Sequence, residues 1–303
     1  MDNITIIPSS KINRVKWDAC VANSSNGLIY ASSVYLDAMA EQWYGLVMDD
    51  YATIFPLPIK KKLGFKYCYM PPFMQQLGFI GQQDFDAVKV VTYITQWVKY
   101  GSPYLNFGNQ AFAEQQDCPS LSNYVVDLGR SYADIRKSYR KSIDYSLSKA
   151  AKLGLDYVAD GHVEAAIHLY KGYNEPNMQH VTDNDYGALQ ELLDHLQQQG
   201  QVMIRKVLGS DHALLSIVLL LKDNKRYYNL INYTSEEGRK MEANYFLYDH
   251  VLRELSNQPM LFDFEGSDLP GVQSFYTKFG AVNQPFFHWH FNHLPLPMKL
   301  LKK

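Results

Sequence analysis

The stretch Met260–Ala281, MLFDFEGSDLPGVQSFYTKFGA, constrains the fold of this chain more than any other. Met260, Leu261, Phe262 and Phe264 read as an apolar strand that also carries two carboxylates, Asp263 and Glu265. Gly266-Ser267-Asp268 makes a turn, and Ser267 or Asp268 is placed to cap the short amphipathic helix that Gly280 stops. Strand, turn, helix and stop in so few residues fit the edge of a ligand cleft in an α/β layer. Residues two apart on a strand share a face, so Asp263 and Glu265 are expected side by side, ~7 Å apart.

Upstream, three consecutive strands are expected at Val202–Val207, Ala213–Leu221 and Arg226–Thr234, joined by the turns Gly209-Ser210-Asp211 and Asp223-Asn224-Lys225. A helix over Met241–Ser256 then leads through Pro259 into the opening stretch. Farther back, Ser131–Leu153 reads as one long helix closed by Gly154. A strand at Leu155–Ala159 and helices at Val163–Tyr173 and Tyr186–Gln199 follow it. The first half alternates shorter pieces: strand Ile4–Ile7, helix Lys11–Ala22, and helix Val34–Trp43 capped by Ser32-Ser33. Strands follow at Gly45–Met48 and Tyr51–Ile59, the latter holding Pro56 and Pro58 and therefore placed at an edge or bulge. Lys60-Lys61-Lys62 with Gly64 makes a hairpin tip, and the next strand, Tyr67–Met70, ends at Pro71-Pro72. Helix Phe85–Tyr100 leads to strand Tyr104–Phe107, with further strands at Tyr124–Leu128 and Phe286–Phe291.

The two halves echo each other. Pro103-Tyr-Leu-Asn-Phe-Gly108 resembles Pro259-Met-Leu-Phe-Asp-Phe-Glu-Gly266, and each follows a helix. This order of elements suggests a diverged duplication, with domains at 1–129 and 130–303 and a ligand cleft between them. The first copy carries Asn106 where the second has acids, so chemistry is expected in the second half.

Composition narrows the classes. A formal net charge of -2 lacks the basic footprint of a duplex-DNA-binding protein. The longest apolar run, Ala213–Leu221, is too short to span a bilayer. Cys20, Cys68 and Cys118 are odd in number and widely spaced, which fits a reducing cytoplasm better than a disulfide framework or zinc module. His288, His290 and His293 lack neighbouring carboxylates or thiolates, so no metal is expected. With 23 Tyr against 4 Trp, the aromatics suit strand faces and cleft walls, where an apolar body needs a polar tip.

The stretch Arg226–Ala281, with its strands, loop, helix, strand and a helix ending in Phe-Gly, resembles the central part of the GNAT acyltransferase fold. Arg136-Lys-Ser-Tyr-Arg140-Lys-Ser-Ile-Asp-Tyr-Ser-Leu-Ser-Lys149-Ala looks like the start of the second domain of the FemABX peptidyltransferases. Thr234-Ser-Glu-Glu-Gly238-Arg239-Lys-Met-Glu-Ala243 resembles their loop and following helix, and Asp263-Phe-Glu-Gly-Ser267 with Phe275-Tyr-Thr-Lys-Phe-Gly280 their ending. The resemblance implies an α/β (α+β) chain of two tandem GNAT-like domains, each a mixed central sheet flanked by helices. It also implies transfer of an acyl or aminoacyl group to an amine, with acyl-CoA or aminoacyl-tRNA as donor. Two departures stand out. The GNAT pyrophosphate loop is [Gln/Arg]-x-x-Gly-x-[Gly/Ala], whereas here Arg239-Lys-Met-Glu242-Ala-Asn puts a carboxylate where a glycine belongs. The long helical arm of some Fem proteins is also missing.

Each site reading has a structural counterpart. Gly238, Arg239 and Asn244, at a helix start, suit an anionic donor group, or form an ordinary strand-to-helix turn. Arg136 and Arg140, four apart on one helix with Lys137 and Lys141, would repel unless an anion meets them, such as a phosphate of a nucleotide-linked acceptor or of tRNA. Gln75 and Gln76, in Met70-Pro-Pro-Phe-Met-Gln-Gln, line an acceptor pocket or belong to a rigid proline turn. Asp263 or Glu265 accepts the proton of the attacking amine, or both partner helix ends. By resemblance, Tyr276 protonates the leaving group; otherwise it packs beside Phe275 and Phe279. The alternative to a transferase is a catalytically degenerate GNAT scaffold that binds an anionic ligand or partner.

Overall fold

The computed structural model describes residues 3–62, 64–174, 178, 180–266, 269–296 and 299. Ser267 and Asp268, the expected helix caps, lie outside these residues. The chain forms two compact units, residues 1–121 with 285–303 and residues 122–284. The expected boundary at 129/130 differs at both ends, for a reason of strand pairing. Asn123–Asp127 hydrogen-bonds to Leu261–Gly266 of the second unit, and Phe286–His288 pairs with strands of the first.

In chain order the first unit holds β1 (Ile4–Pro8), α1 (Arg14–Asn23), α2 (Ser33–Met39), β2 (Trp43–Met48), β3 (Thr53–Lys62) and β4 (Phe65–Cys68). It continues with β5 (Ile80–Gly81), α3 (Ala87–Trp97), β6 (Tyr100–Gly101), β7 (Tyr104–Leu105), α4 (Gln110–Gln115) and β8 (Ser120–Leu121). The second unit holds β9 (Asn123–Asp127), α5 (Tyr132–Lys137), α6 (Ser142–Ala151), β10 (Asp156–Val158), α7 (Val163–Asn174) and α8 (Asp183–Gln198). Then come β11 (Val202–Leu208), β12 (Leu214–Lys222), β13 (Arg226–Thr234), α9 (Glu236–Lys240), α10 (Ala243–Leu255), β14 (Leu261–Gly266), α11 (Pro270–Lys278) and β15 (Val282–Asn283). Strands β16 (Phe286–His288) and β17 (Phe291–Asn292) return to the first unit.

The first unit has a sheet in the order β1-β2-β3-β4-β6-β17, with β5 beside β3, and a small sheet β7-β16-β8. Pro56 and Pro58 sit inside β3, where proline's missing donor would normally cost a ladder bond. They are tolerated because β5 pairs only with Thr53 and Ile54, and β4 only from Ile59 onward, so no strand ladder on that side calls for a proline N–H, while the Pro58 carbonyl accepts from the Tyr69 N–H (3.2 Å). The expected cap at Ser32-Ser33 does not form. The Ser32 hydroxyl donates to the Ile29 carbonyl, that of Ser33 to Asp18, and α2 ends at Met39 because Trp43 begins β2.

The second unit is built on the sheet β10-β11-β12-β13-β14-β9-β15, antiparallel except for the pair β13/β14. Its core gathers Val218, Leu220, Phe262 and Phe264 from the sheet with Leu247, Val251 and Leu252 from α10, Tyr276 from α11 and Phe279 just after it. Thr182 starts α8 with a reciprocal capping box to Asp185. The expected single helix over Ser131–Leu153 is broken between Lys137 and Ser142. Unbroken, it would stack Arg136 on Arg140 and Lys137 on Lys141. At the break the Arg140 N–H instead donates to the Lys278 carbonyl (2.9 Å), and Gly280, at φ 71°, lies so close to Ser138 that a Cβ would meet its carbonyl at 2.7 Å.

Candidate functional site

Strands β13 and β14 run parallel, yet they pair only through Arg226↔Leu261, Tyr227↔Phe262 and Tyr228↔Asp263. Beyond that point β14 bulges between Asp263 and Gly266, while β13 continues to Thr234 on β12. Asn229 bridges the parting strands. Its Nδ2 donates to the Phe264 carbonyl (3.4 Å) and its Oδ1 accepts from the Tyr248 hydroxyl (3.0 Å). Parting of parallel strands next to a helix start is where α/β folds leave room for a ligand. A cavity of about 340 Å³ lies here. Its walls are the end of β13 (Asn232, Tyr233, Thr234), Arg239 of α9, Asn244, Tyr245 and Tyr248 of α10, Val272, Phe275 and Tyr276 of α11, and Tyr173 of α7.

The expected residues divide sharply. Arg239, Asn244 and Tyr276 meet at this cavity. The exposed Arg239 guanidinium lies over the Tyr173 ring (5.2 Å) and donates to its hydroxyl (3.3 Å). Tyr276 is 8% exposed and stacks on Phe264 at 4.6 Å. Burial raises its phenol above the ordinary range, and the negative charges of Glu265 and Asp263 push the same way. Glu265 also acts on Tyr170, whose hydroxyl burial pushes up to about 12.

Gly238 has another role. Its N–H donates to the Ser235 hydroxyl (2.9 Å), and a Cβ would lie 2.2 Å from the Leu215 carbonyl, so this glycine lets α9 pack on β12. The loop expected at Glu236–Asn244 is itself helical, broken at Glu242. That residue has φ 59° and ψ 26°, the left-handed region that favours glycine, and its carboxylate lies 3.8 Å from the Lys149 ammonium. In the first turn of α10 the Tyr245 N–H donates to the Glu242 carbonyl (3.1 Å) and to Asn244 Oδ1 (3.0 Å), and the Phe246 N–H to the Glu242 carbonyl (3.2 Å). This leaves the N–H groups of Ala243 and Asn244 without an intrahelical acceptor.

Asp263 is buried at 1% exposure and accepts from Arg226 (2.8 Å) and from the Glu265 N–H (2.9 Å). Burial pushes its carboxyl up, with Arg226, that N–H and the Asn123 side chain pulling the other way. Glu265 takes φ 65° within the bulge, so the regular alternation that would set the two acids side by side is interrupted.

The expected acceptor residues lie elsewhere. Arg136 is ion-paired with Asp144 and lies over Tyr139 at 4.8 Å, and Arg140 is exposed. Gln75 and Gln76 belong to the first unit. Gln76 is buried, and its Nε2 donates to the Gln75 Oε1 (2.7 Å). Its own Oε1 has no partner among the described residues. His288 meets the Ser102 hydroxyl at 2.6 Å and His290 sits edge-on to Tyr100. Among the described residues no group of three potential ligands gathers for a metal, and no helix is long and apolar enough to cross a membrane.

Sequence reasoning missed Asn229, Asn232, Thr234, Tyr245 and Tyr173. The polar residues ending β13 carried a usable signal, since ligands in α/β sheets bind beyond strand carboxyl ends. Tyr173 carried none, because its place at the wall depends on how α7 packs on the sheet.

Residues 137–271 match the family model described as an acetyltransferase (GNAT) domain. The structure is similar to FemX, with TM-score 0.68 and 13% identity over 98% of this chain and 99% of that one. It is also similar to the C-terminal domain of a putative lysylphosphatidylglycerol synthetase from Agrobacterium fabrum, with TM-score 0.57 and 9% identity over 95% and 94% of the two chains. A third likeness is L-PGS from Bacillus licheniformis, with TM-score 0.55 and 10% identity over 95% and 94%. No curated protein sequence matches the chain. A mixed sheet with one parting parallel pair, a helix starting at the gap and the matched domain define a GNAT-fold protein. The FemX likeness runs through both units and shows a shared fold.

Proposed function

We propose that the protein is a transferase that moves an acyl or aminoacyl group onto an amine in the second unit's cavity. The observation that carries this reading is the convergence of Arg239, Asn244 and Tyr276 on one cavity beside the parting of β13 and β14. Arg239 and the start of α10 would face the phosphates of the donor, where free N–H groups and the positive end of the helix dipole favour an anion. Tyr276, kept protonated by burial, would give its proton to the leaving group. Glu265, half-buried where Asp263 is buried and ion-paired with Arg226, is a better candidate than Asp263 for the base that takes the amine proton. Asp263 would position it, through the Glu265 N–H. The reaction would otherwise depend on holding donor and acceptor together. Three free cysteines support a cytoplasmic setting. Arg136, Arg140, Gln75 and Gln76 stay as acceptor candidates, with a nucleotide-linked or small-molecule amine as the acceptor and tRNA as a possible carrier of the donor.

Thermal-shift and turnover screening with acyl-CoAs and, in parallel, charged tRNAs tests the proposal. Stabilisation or consumption of one donor class is expected; silence from both would sink it. Arg239→Ala is expected to weaken that donor about tenfold, by loss of one charged hydrogen-bonding group worth ~1.5 kcal/mol. Unchanged affinity by calorimetry would take Arg239 out of the site.

The conformation of Glu242 favours a second reading, a scaffold whose donor loop is degenerate. A left-handed non-glycine residue costs about 1 kcal/mol, and its carboxylate would meet a pyrophosphate unfavourably. Glu242→Gly is therefore expected to raise the melting temperature slightly and to tighten CoA binding. Tighter CoA binding without turnover would support the degenerate scaffold. No gain in CoA binding would argue that the donor is not a CoA ester.

A further inference from the structure

The hairpin of β3 and β4 runs beyond the rest of its sheet as a two-stranded ribbon. Strand β2 pairs with β3 no farther than Pro58, and β6 meets β4 only at Cys68. The ladder Lys60↔Tyr67, Lys61↔Lys66 and Lys62↔Phe65 therefore stands alone. Side chains alternate across a ribbon, so Lys60 and Lys62 share one face with Tyr67 and Phe65, while Lys61 and Lys66 share the other. Phe65, beside the turn, is 39% exposed. Next to it Gly64 takes φ 81°, with no atom within 4 Å of where a Cβ would stand.

This arrangement is costly for a free protein in water. Lys61 and Lys66 sit directly opposite each other, a like-charge pair that destabilises a ladder. Among the described residues a single acid, Glu41, comes within 4 Å of these four ammonium groups, at 3.9 Å from Lys60. Two lysines are held in place by aromatic faces, Lys60 over Tyr69 (4.7 Å) and Lys66 over Trp97 (4.5 Å). The chain as a whole is slightly acidic, so the concentration of positive charge here is local.

We propose that this ribbon docks the protein end-on to an anionic phospholipid surface. Positive charge on both faces around an exposed phenylalanine fits a plane met by the tip. A single nucleic-acid strand would lie along one face and leave the lysines of the other unused. Phe65 enters the headgroup layer, Tyr67, two residues back on the same face, offers a ring with a polar tip behind it, and the lysines reach lipid phosphates from either side. Such a contact anchors the chain peripherally, without a membrane-crossing helix.

Flotation of the full chain with vesicles tests this, using phosphatidylcholine alone and phosphatidylcholine mixed with phosphatidylglycerol. Binding to the anionic vesicles alone is expected, with loss in high salt. Lys61→Glu with Lys62→Glu should cut partitioning more than ~10-fold, since each basic residue near such a surface contributes ~1 kcal/mol. Phe65→Ser should cut it several-fold. If the double reversal unfolds the chain, Lys61→Gln with Lys62→Gln replaces it, with a smaller loss expected. Absent binding, equal binding to neutral vesicles, or binding that the lysine variants retain would overturn the proposal. Binding of oligouridylate that depends on the same lysines, with vesicles left unbound, would also overturn it and give the ribbon to single-stranded RNA.

Discussion

Asp263→Ala is expected to lower the melting temperature by roughly 6–20 °C, the equivalent of the ~3–5 kcal/mol lost when one partner of a buried ion pair is removed. Arg226 and Asp263 are 3% and 2% exposed at the side chain and 2.8 Å apart. Without the carboxylate, the buried guanidinium would lose the charged acceptor of its Nη1. The local geometry adds to this, because the Asp263 Oδ1 also accepts from the Glu265 N–H at the start of the bulge. Asp263→Asn separates the contributions. It keeps an acceptor for that N–H but removes the charge, so it should cost less than alanine and still several degrees. A double variant, Arg226→Met with Asp263→Leu, should recover most of the loss, since an apolar pair of similar volume replaces a desolvated one. Calorimetry of the three variants measures all of this. An alanine variant melting within two degrees of the parent, by the ~2–4 °C per kcal/mol scale for units of this size, would mean that Arg226 finds another partner.

The fold was legible where local signals and tertiary packing agree. Strand β13 runs from Arg226 to Thr234, as the turn residues before it suggest, and α8 lies where a helix is expected, although its Thr182 cap starts it three residues before Tyr186. Legibility failed where a long-range contact decides. The break between α5 and α6 is set by the Lys278 carbonyl and by the close approach of Gly280 to Ser138, neither visible in the pattern of 131–153. The boundary between units was misplaced because a two-state reading by order along the chain cannot see that β9 pairs with β14 or that the tail returns.

The candidate site follows the same division. Arg239, Asn244 and Tyr276 come together because strand, helix start and helix stop are local features in fixed order. The relation of Asp263 to Glu265 came out differently because a bulge inserts a left-handed residue that alternation does not foresee. Gly238 illustrates a different error. A glycine at a helix start suits an anion, but here the room left by its missing Cβ is taken by the Leu215 carbonyl. Glu242 was a sequence oddity whose cost became physical only with its φ of 59°.

Tyr276→Phe is expected to reduce turnover with the accepted donor by ~10²–10⁴-fold, the usual range for loss of a positioned acid. The variant keeps the ring that stacks on Phe264 and removes only the hydroxyl, so its melting temperature should stay close to the parent's. The loss should fall on kcat, with donor affinity nearly unchanged, because the proton is needed in the transition state and not for binding. The pH dependence has a defined sign. Burial and the nearby acids disfavour the phenolate, so the phenol holds its proton throughout the range in which an ordinary tyrosine does. The deficit of the phenylalanine variant should therefore be constant from about pH 6 to 9, below the ordinary tyrosine pKa near 10. A deficit that shrinks as pH rises would instead point to a hydroxyl already ionised in the parent. A fall of less than about threefold at every pH would leave Tyr276 as a packing residue of α11, with leaving-group protonation passed to water or another group at the cavity.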